Sequence, residues 1–312
     1  MAGAGWRAIL SPVGIAATTV SAMSPQPGIL AKPLECGLSL TLSLVPGADA
    51  AKALKHLAVG FDSKWGVLAV GAPMTRALGV QVPGLSTFPA MSAPGAGVPS
   101  TQQPLWLMLQ AATQGEVFAI LQRLKPLLLP GLVIADSMPT FHNASRDLTG
   151  YEDGTENPKG AKAVKAAIVG GGRGLAGSAF VAVQRWVHDL DYFNGLSQAK
   201  RDAAIGRRRD TNEEIETAPR SAHVKRTTQE DFEPNGFMLR RSMSFATDRI
   251  KGLEFISYVA HLDTFERQMR RMAGLDDNIA DALFKFSRPV TGGYYWCPPV
   301  RGGRVDLRAL GL

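Results

Sequence analysis

Apolar and polar residues alternate along Leu38 to Leu44: Leu38, Leu40, Leu42 and Leu44 are interleaved with Ser39, Thr41 and Ser43. Successive side chains of a strand point to opposite faces, so this pattern predicts a strand with one buried face. Pro46-Gly47-Ala48-Asp49 then turns the chain into a helix expected from about Ala50 to Leu57. A second unit of the same kind follows, with a strand at Leu105 to Leu109 and a helix from Glu116 to Leu124. That helix is expected to stop at Pro126, whose ring has no N–H to donate. Between the two units, Pro83 to Pro104 is rich in Pro, Ser and Gly and reads as loop.

The second half repeats the theme. Ser178 to Val187 carries β-branched and aromatic residues and predicts a strand. Leu196 to Ile205 reads as a helix, Phe237 to Phe245 and Leu253 to Ala260 as strands, and Thr264 to Met272 as a strong helix. Two similar rounds of strands and helices predict an α+β protein with two antiparallel sheets covered by helices. Gly170, Gly171, Gly172, Gly174 and Gly177 lie between the rounds. They lack the strand-before, helix-after setting of a phosphate loop and read as a connector.

Composition narrows the function classes. Of 312 residues, 20% are charged and 45% hydrophobic, the balance of a globular protein with a sizeable core. The net charge is +7, and the densest basic run is Arg207-Arg208-Arg209. No block of five or six like charges occurs, so a nucleic-acid tail is not indicated. The arginines either solvate a surface or pair with an anionic cofactor or substrate. Cys36 and Cys297 are far apart and in no ligand spacing, which argues against a disulfide framework and a zinc site. Two buried thiols in a reducing compartment imply a cytoplasmic location. No apolar run is long enough to span a membrane. Met1 to Met23 holds a single charge, Arg7, and is a weak secretory signal. It reads as a disordered extension, or as a misplaced start with Met23 the true one.

The densest polar motif is Gly150-Tyr151-Glu152-Asp153-Gly154-Thr155-Glu156-Asn157-Pro158. Glycines around an acidic pair permit a tight turn and a close approach to a ligand. On physics alone this is a ligand-facing loop or a plain surface turn. The five histidines form no HExxH and no close pair, so a zinc hydrolase is not signalled. A lone histidine can still be the axial ligand of a haem, because the porphyrin supplies four of the iron's bonds. His223 stands just before a polar stretch and the predicted strand at 237–245, and a satisfied structural histidine is its other reading. In that strand Arg240 and Ser242 share one face, and Arg241 and Met243 the other. Arg240 either projects into a polar pocket or faces water.

Together these residues resemble the B-type dye-decolourising peroxidases, over about Ser24 to Pro298. Gln26 to Leu30 is similar to the family's opening motif, and Gly150 to Gly154 to its GxxDG signature with the DGTENP form intact. Trp186 to Leu190, Ile205 to Arg207, His223 to Arg226, Leu239 to Ser242 and Val290 to Tyr294 follow in family order. The resemblance implies two ferredoxin-like halves: residues 24–160, ending in the GxxDG motif, and residues 161–312, with the haem pocket. It implies one haem b per chain, with His223 as axial iron ligand and Asp281 as acceptor for its other ring nitrogen. Asp153 would move a proton between the peroxide oxygens, Arg240 would stabilise the departing one, and Ser242 would place a water. Arg207, Thr155, Glu156 and Asn157 are candidates for the haem propionates.

The activity implied is reduction of hydrogen peroxide with one-electron oxidation of phenolic, dye-like or metal donors, through ferryl intermediates. The alternative is a haem-binding, haem-handling or iron-releasing protein with incidental peroxidase activity; a scaffold with a dead site is a third reading. The family also implies a homo-oligomer and, in some members, packaging in a protein shell through a C-terminal tag. Here Arg308 to Leu312 has only a faint Leu-Gly character. Two departures stand out. Ser244-Phe245-Ala246 replaces the usual Pro-aromatic-Gly, and Tyr151-Glu152 puts an extra carboxylate before Asp153.

Overall fold

The leucine alternation lies inside β1 (Cys36–Leu44) of the structure, a computed structural model that describes Met1 and residues 23–312. The reading of the first 23 residues as an extension thus falls outside the described residues, save for its two ends. β1 is followed by α1 (Ala50–Gly60), β2 (Gly66–Gly71), β3 (Leu105–Ala111), α2 (Gln114–Leu128) and β4 (Leu132–Phe141). Their antiparallel order is β2-β3-β1-β4. The second half holds β5 (Ala179–His188), α3 (Leu190–Gly195), α4 (Gln198–Ile205), α5 (His223–Thr227), β6 (Leu239–Arg240), β7 (Met243–Ala246), β8 (Lys251–Val259), α6 (Leu262–Met272) and β9 (Gly293–Cys297). Its order is β9-β5-β8-β7, with β6 continuing β7 along β8. Both halves therefore run strand, helix, two strands, helix, strand, with the last strand beside the first. That is the ferredoxin-like plan, found twice.

The two sheets join at both edges. β9 pairs with β2 through Tyr295 opposite Gly71 and Trp296 opposite Val70, and β4 meets β7 through Phe141 opposite Ser244. Eight strands thus close into one ring, which removes the free edges of each sheet. The ring corrects the expectation of a half-buried β1. Leu38, Leu40 and Leu42 pack outward under α1 and α2, while the polar face points into the ring instead of to water. Ser39, 2% exposed, accepts from Trp106 Nε1 at 3.0 Å and donates to Glu254 Oε1 at 2.7 Å. Glu254 in turn pairs with Arg185 Nε at 2.9 Å, so the buried charge is matched and hydrogen-bonded.

Other expectations shift at their ends. α2 runs on through Pro126 to Leu128, and Thr113 starts it with a capping box to Glu116. The stretch read as loop between Pro83 and Pro104 contains a small hairpin, Met91–Ala93 with Ala96–Val98. The helix expected from Leu196 begins after Ser197, whose hydroxyl accepts from Lys200 N, and a separate turn of helix precedes it. The strand read at 237–245 is β6 and β7, separated by Arg241 and Ser242. Pairing with β8 keeps one register across the gap, so the predicted alternation holds. Leu310 is buried and the end of the chain folds back onto the core.

Candidate active site

Alternation decides where chemistry gathers. Even-numbered residues of β5 (Gln184, Trp186, His188) and odd-numbered residues of β8 (Leu253, Phe255) face away from the ring. They floor a cavity of about 300 Å³. α6 covers it with Phe265, Gln268, Met269 and Met272. The Gly150–Asn157 loop closes one side and α5 another. The glycine loop thus faces a cavity and is not a plain surface turn.

His223 is the first residue of α5 and lines the cavity. Its Nδ1 lies 2.7 Å from Asp281 Oδ2, whose side chain is fully buried. Facing a carboxylate, Nδ1 is the donor, and in the neutral ring that leaves Nε2 with its lone pair. No hydrogen bond to Nε2 occurs among the described residues. Asp281 is held in place by its backbone N–H on Met272 O and by Leu283 N on its Oδ1, at 2.7 and 2.8 Å. Such a carboxylate fixes the tautomer and raises the basicity of the ligand nitrogen.

Asp153 and Arg240 both line the cavity and are close enough for their charges to interact. The Asp153 N–H donates to Ser145 O at 2.9 Å. Gly150 and Gly154 take φ of +86° and +82°, the left-handed region, and a Cβ on Gly150 would lie 2.6 Å from Arg209 Nε. Burial pushes the Asp153 carboxyl above the ordinary carboxylate range. Arg240 opposes that rise, Asp147 adds to it and His223 opposes it. Nε of Arg240 is buried and has no hydrogen-bond partner among the described residues. Asn157 brackets the Arg240 backbone, accepting from its N–H at 2.8 Å and donating to its carbonyl at 3.1 Å.

Three expected site residues stand elsewhere or act differently. Asn157 is engaged in that bracket and does not line the cavity. Ser242 does not line it either; its hydroxyl accepts from Ile256 N at 3.4 Å, beside the interruption in the strand. Glu156 lines the cavity but is an acceptor, 2.7 Å from Arg207 Nη2. Arg207 and Thr155 do line it, although Arg207 also donates to Asn212 O and Thr155 accepts from Asn212 Nδ2. Asp281 sits behind His223, as expected.

The sequence patterns missed several residues. His188 bridges Asp147 (Nε2 to Oδ1, 3.1 Å) and Ser287 (Nδ1 to Oγ, 2.7 Å), so the strand end holds the loop that carries Asp153. Burial pushes Asp147 up, but His188 and Thr149 outweigh it and hold the carboxyl below its usual range. Gln184 Nε2 and Gln268 Oε1 are buried, line the cavity and have no protein partner among the described residues. Buried polar atoms of this kind call for a polar group on whatever the cavity takes.

The donor set says what fits. No group of three or more His, Cys, Asp or Glu able to hold a bare metal ion occurs among the described residues. One imidazole with a free Nε2, backed by a carboxylate, suits a metal whose other bonds come from a macrocycle. Apolar walls from Trp186, Leu253, Phe255, Phe265, Met269 and Leu283 suit its faces and edge.

Comparison with known proteins agrees. The family described as Dyp-type peroxidase, C-terminal, matches residues 144–302. The dye-decolorizing peroxidase of Mycobacterium tuberculosis strain H37Rv is 30% identical over 262 residues, 79% of this chain and 74% of that protein. The one from Mycolicibacterium paratuberculosis is 28% identical over 302 residues, 90% and 85% of the two chains. Among solved structures, DypB of Rhodococcus jostii RHA1 superposes with a TM-score of 0.80 at 28% identity, over 88% of this chain and 96% of that one. A variant of it in complex with heme gives 0.80 at 27% identity and the same coverage. A dye-decolorizing protein from V. cholerae gives 0.78 at 26%, over 91% and 98%.

Proposed function

Since the chain belongs to the dye-decolourising peroxidase family, a peroxidase using hydrogen peroxide and a reducing substrate, we propose that it works through one haem b in the cavity behind Asp153. The likeness to DypB supports the B subtype. The observation that carries the reading is His223 with Nδ1 tied to buried Asp281 and Nε2 free.

His223 would hold the iron and Arg207 would meet the propionates. Held there, haem would supply the metal and the electrons for cleaving the O–O bond of peroxide. Asp153 takes a proton from the near peroxide oxygen and returns it to the far one. A proton affinity raised by burial suits a group that must do both. Arg240, cationic and without a partner at Nε, stabilises the negative charge on the departing oxygen. The apolar walls exclude water, which strengthens both effects.

We place the boundary between the halves near residue 160, after the loop that the first half contributes to the second. Phenolic, dye-like or metal donors, a homo-oligomer and a cytoplasmic location complete the proposal. The matched relatives bear peroxidase names, which favours turnover over haem handling.

The visible spectrum of the purified, haem-reconstituted protein tests this reading. A Soret band that changes on adding peroxide is expected. An unchanged spectrum in His223→Ala would remove His223 as the ligand. Turnover far below about 10⁴ M⁻¹s⁻¹ in kcat/KM for peroxide would favour haem handling instead.

A further inference from the structure

Tyr151 has a partner that none of the other four tyrosines has. Its hydroxyl donates to Asp202 Oδ1 at 2.5 Å. Oxidising a tyrosine by one electron makes its phenol strongly acidic, so a buried tyrosine gives up the electron readily only where a base takes the proton. Tyr294 is buried and its hydroxyl has no partner among the described residues. Tyr295 accepts from the Gln103 backbone, and Tyr258 faces Cys297 and Arg241 with no carboxylate. Tyr192 is exposed and does not line the cavity.

Tyr151 lines the cavity, two residues before Asp153, and is 4% exposed. Phe193 packs against its ring, centroids 6.1 Å apart, and Phe286 stacks on Phe193 at 4.4 Å, which holds the phenol still. Asp202 lies on α4 and is only half-buried. It also accepts from Gln198 Nε2 at 2.6 Å and from Arg209 N at 3.3 Å, and Gln198 is exposed. The phenol therefore touches the cavity at one side and an acceptor open to solvent at the other.

We propose that Tyr151 is a one-electron relay between the cavity and the α4 surface, with Asp202 as its proton acceptor. The proposal rests on the peroxidase reading and deepens it. Peroxide reduction leaves the site short of electrons. One electron leaves the Tyr151 ring for that site, the phenolic O–H bond breaks, and the proton passes to the Asp202 carboxylate. A neutral tyrosyl radical remains. A reducing donor at the α4 face then gives the radical one electron and Asp202 returns the proton, so the donor leaves oxidised by one electron. Tyr151 and Asp202 end unchanged. Burial and the neighbouring Asp202 raise the proton affinity of the phenol, so electron and proton leave together rather than from a preformed phenolate. A donor too large for a 300 Å³ cavity has a place to react.

Freeze-quench electron paramagnetic resonance on the haem-loaded protein after one equivalent of peroxide tests the relay. A tyrosyl signal is expected, narrowed when the protein carries ring-deuterated tyrosine. Tyr151→Phe should lose it. Asp202→Asn should weaken and delay it, and Asp202→Glu should restore it, with haem content and circular dichroism matched across the variants. A signal that persists in Tyr151→Phe, or is untouched in Asp202→Asn, overturns the relay. So does a wild-type protein whose Soret band responds to peroxide without any tyrosyl signal, and in that case the peroxidase reading stands. A protein whose Soret band ignores peroxide overturns both.

Discussion

Asn157 and Arg240 are 83 residues apart, yet the amide of one grips the backbone of the other at both its N–H and its carbonyl. The grip joins the loop that carries Asp153 to the strand that carries Arg240, so the two groups proposed to act on peroxide are placed by one side chain. Each of its two neutral hydrogen bonds contributes about 1 kcal/mol. Asn157→Ala should therefore lower stability by about 2 kcal/mol in urea melts. A misplacement of ~1 Å costs on the order of 10²-fold in rate, so peroxide reactivity should fall by about that much while haem still binds. Stopped-flow rates equal to wild type would show that the bracket does not position Arg240.

Asp153 and Arg240 should separate on a pH profile. Asp153→Asn removes the proton carrier and is expected to slow the reaction with peroxide by roughly 10²–10⁴-fold. Its folded-state proton affinity is raised, so the wild-type acid limb should have its midpoint above the ordinary value of 3.8, and rates should rise as pH rises through it. The limb should vanish in the Asn variant. Arg240→Leu should keep both the limb and the haem while losing about 10²–10³-fold in rate. An acid limb that survives in Asp153→Asn would assign it to another group.

Asp281→Asn tests the support behind His223. The amide keeps an acceptor for Leu283 N but loses the charge facing Nδ1. Haem affinity or turnover should fall by about 10–100-fold, as for other carboxylates behind a ligand histidine. The iron reduction potential should rise, because a less basic imidazole favours the oxidised metal less. Potentiometric titration reads this directly, and an unchanged potential would mean that the charge does not reach the ligand.

Arg226 anchors α5, and with it His223, to the turn after α6. Its guanidinium meets both oxygens of Asp277 at 2.7 Å and is 3% exposed. The Arg226 hydrogen bond holds the Asp277 carboxyl below its usual range. A lowered carboxylate stabilises the fold above its unfolded-state value of 3.8, and that stability is lost as pH falls through the still lower folded-state value. Arg226→Ala should cost about 2 kcal/mol at pH 7, less than a fully buried pair, because Asp277 is partly exposed. The difference between the variant and the wild type should shrink below pH 4 in denaturant melts; a gap that stays constant would locate the effect in packing instead of charge.

Which parts were legible in the sequence follows from the range of the interactions. The β1 alternation predicts a strand because a strand has only two faces. What covers the second face is a property of ring closure, and nothing between Leu38 and Leu44 encodes Glu254. Asp153, His223 and Arg240 are legible as candidates through their motifs, and all three line one cavity. Asn157 and Ser242 sit in the same motifs and look like site residues, yet both serve the backbone: short polar side chains bind main-chain groups as readily as ligands. Tyr151 with Asp202, and His188 with Asp147, are pairs between distant segments, visible only once β5 and α4 are packed. Pro126 misled because its missing N–H forgoes only one bond, to the carbonyl four residues back, and just Leu127 and Leu128 follow it in the helix, a small loss beside the burial of Leu124 and Leu128.

Ring closure also sets an order on assembly. A ribosome finishes the first four strands before it has made any of the last four. Until then β2 and β4 both stand bare, with unpaired N–H and C=O groups along their outer sides. The chain that covers them comes from opposite edges of the second sheet: Ser244 for one edge, Tyr295 and Trp296 for the other. The nascent first half is consequently the aggregation-exposed species, and a chain truncated near residue 160 should be insoluble where the full-length one is not.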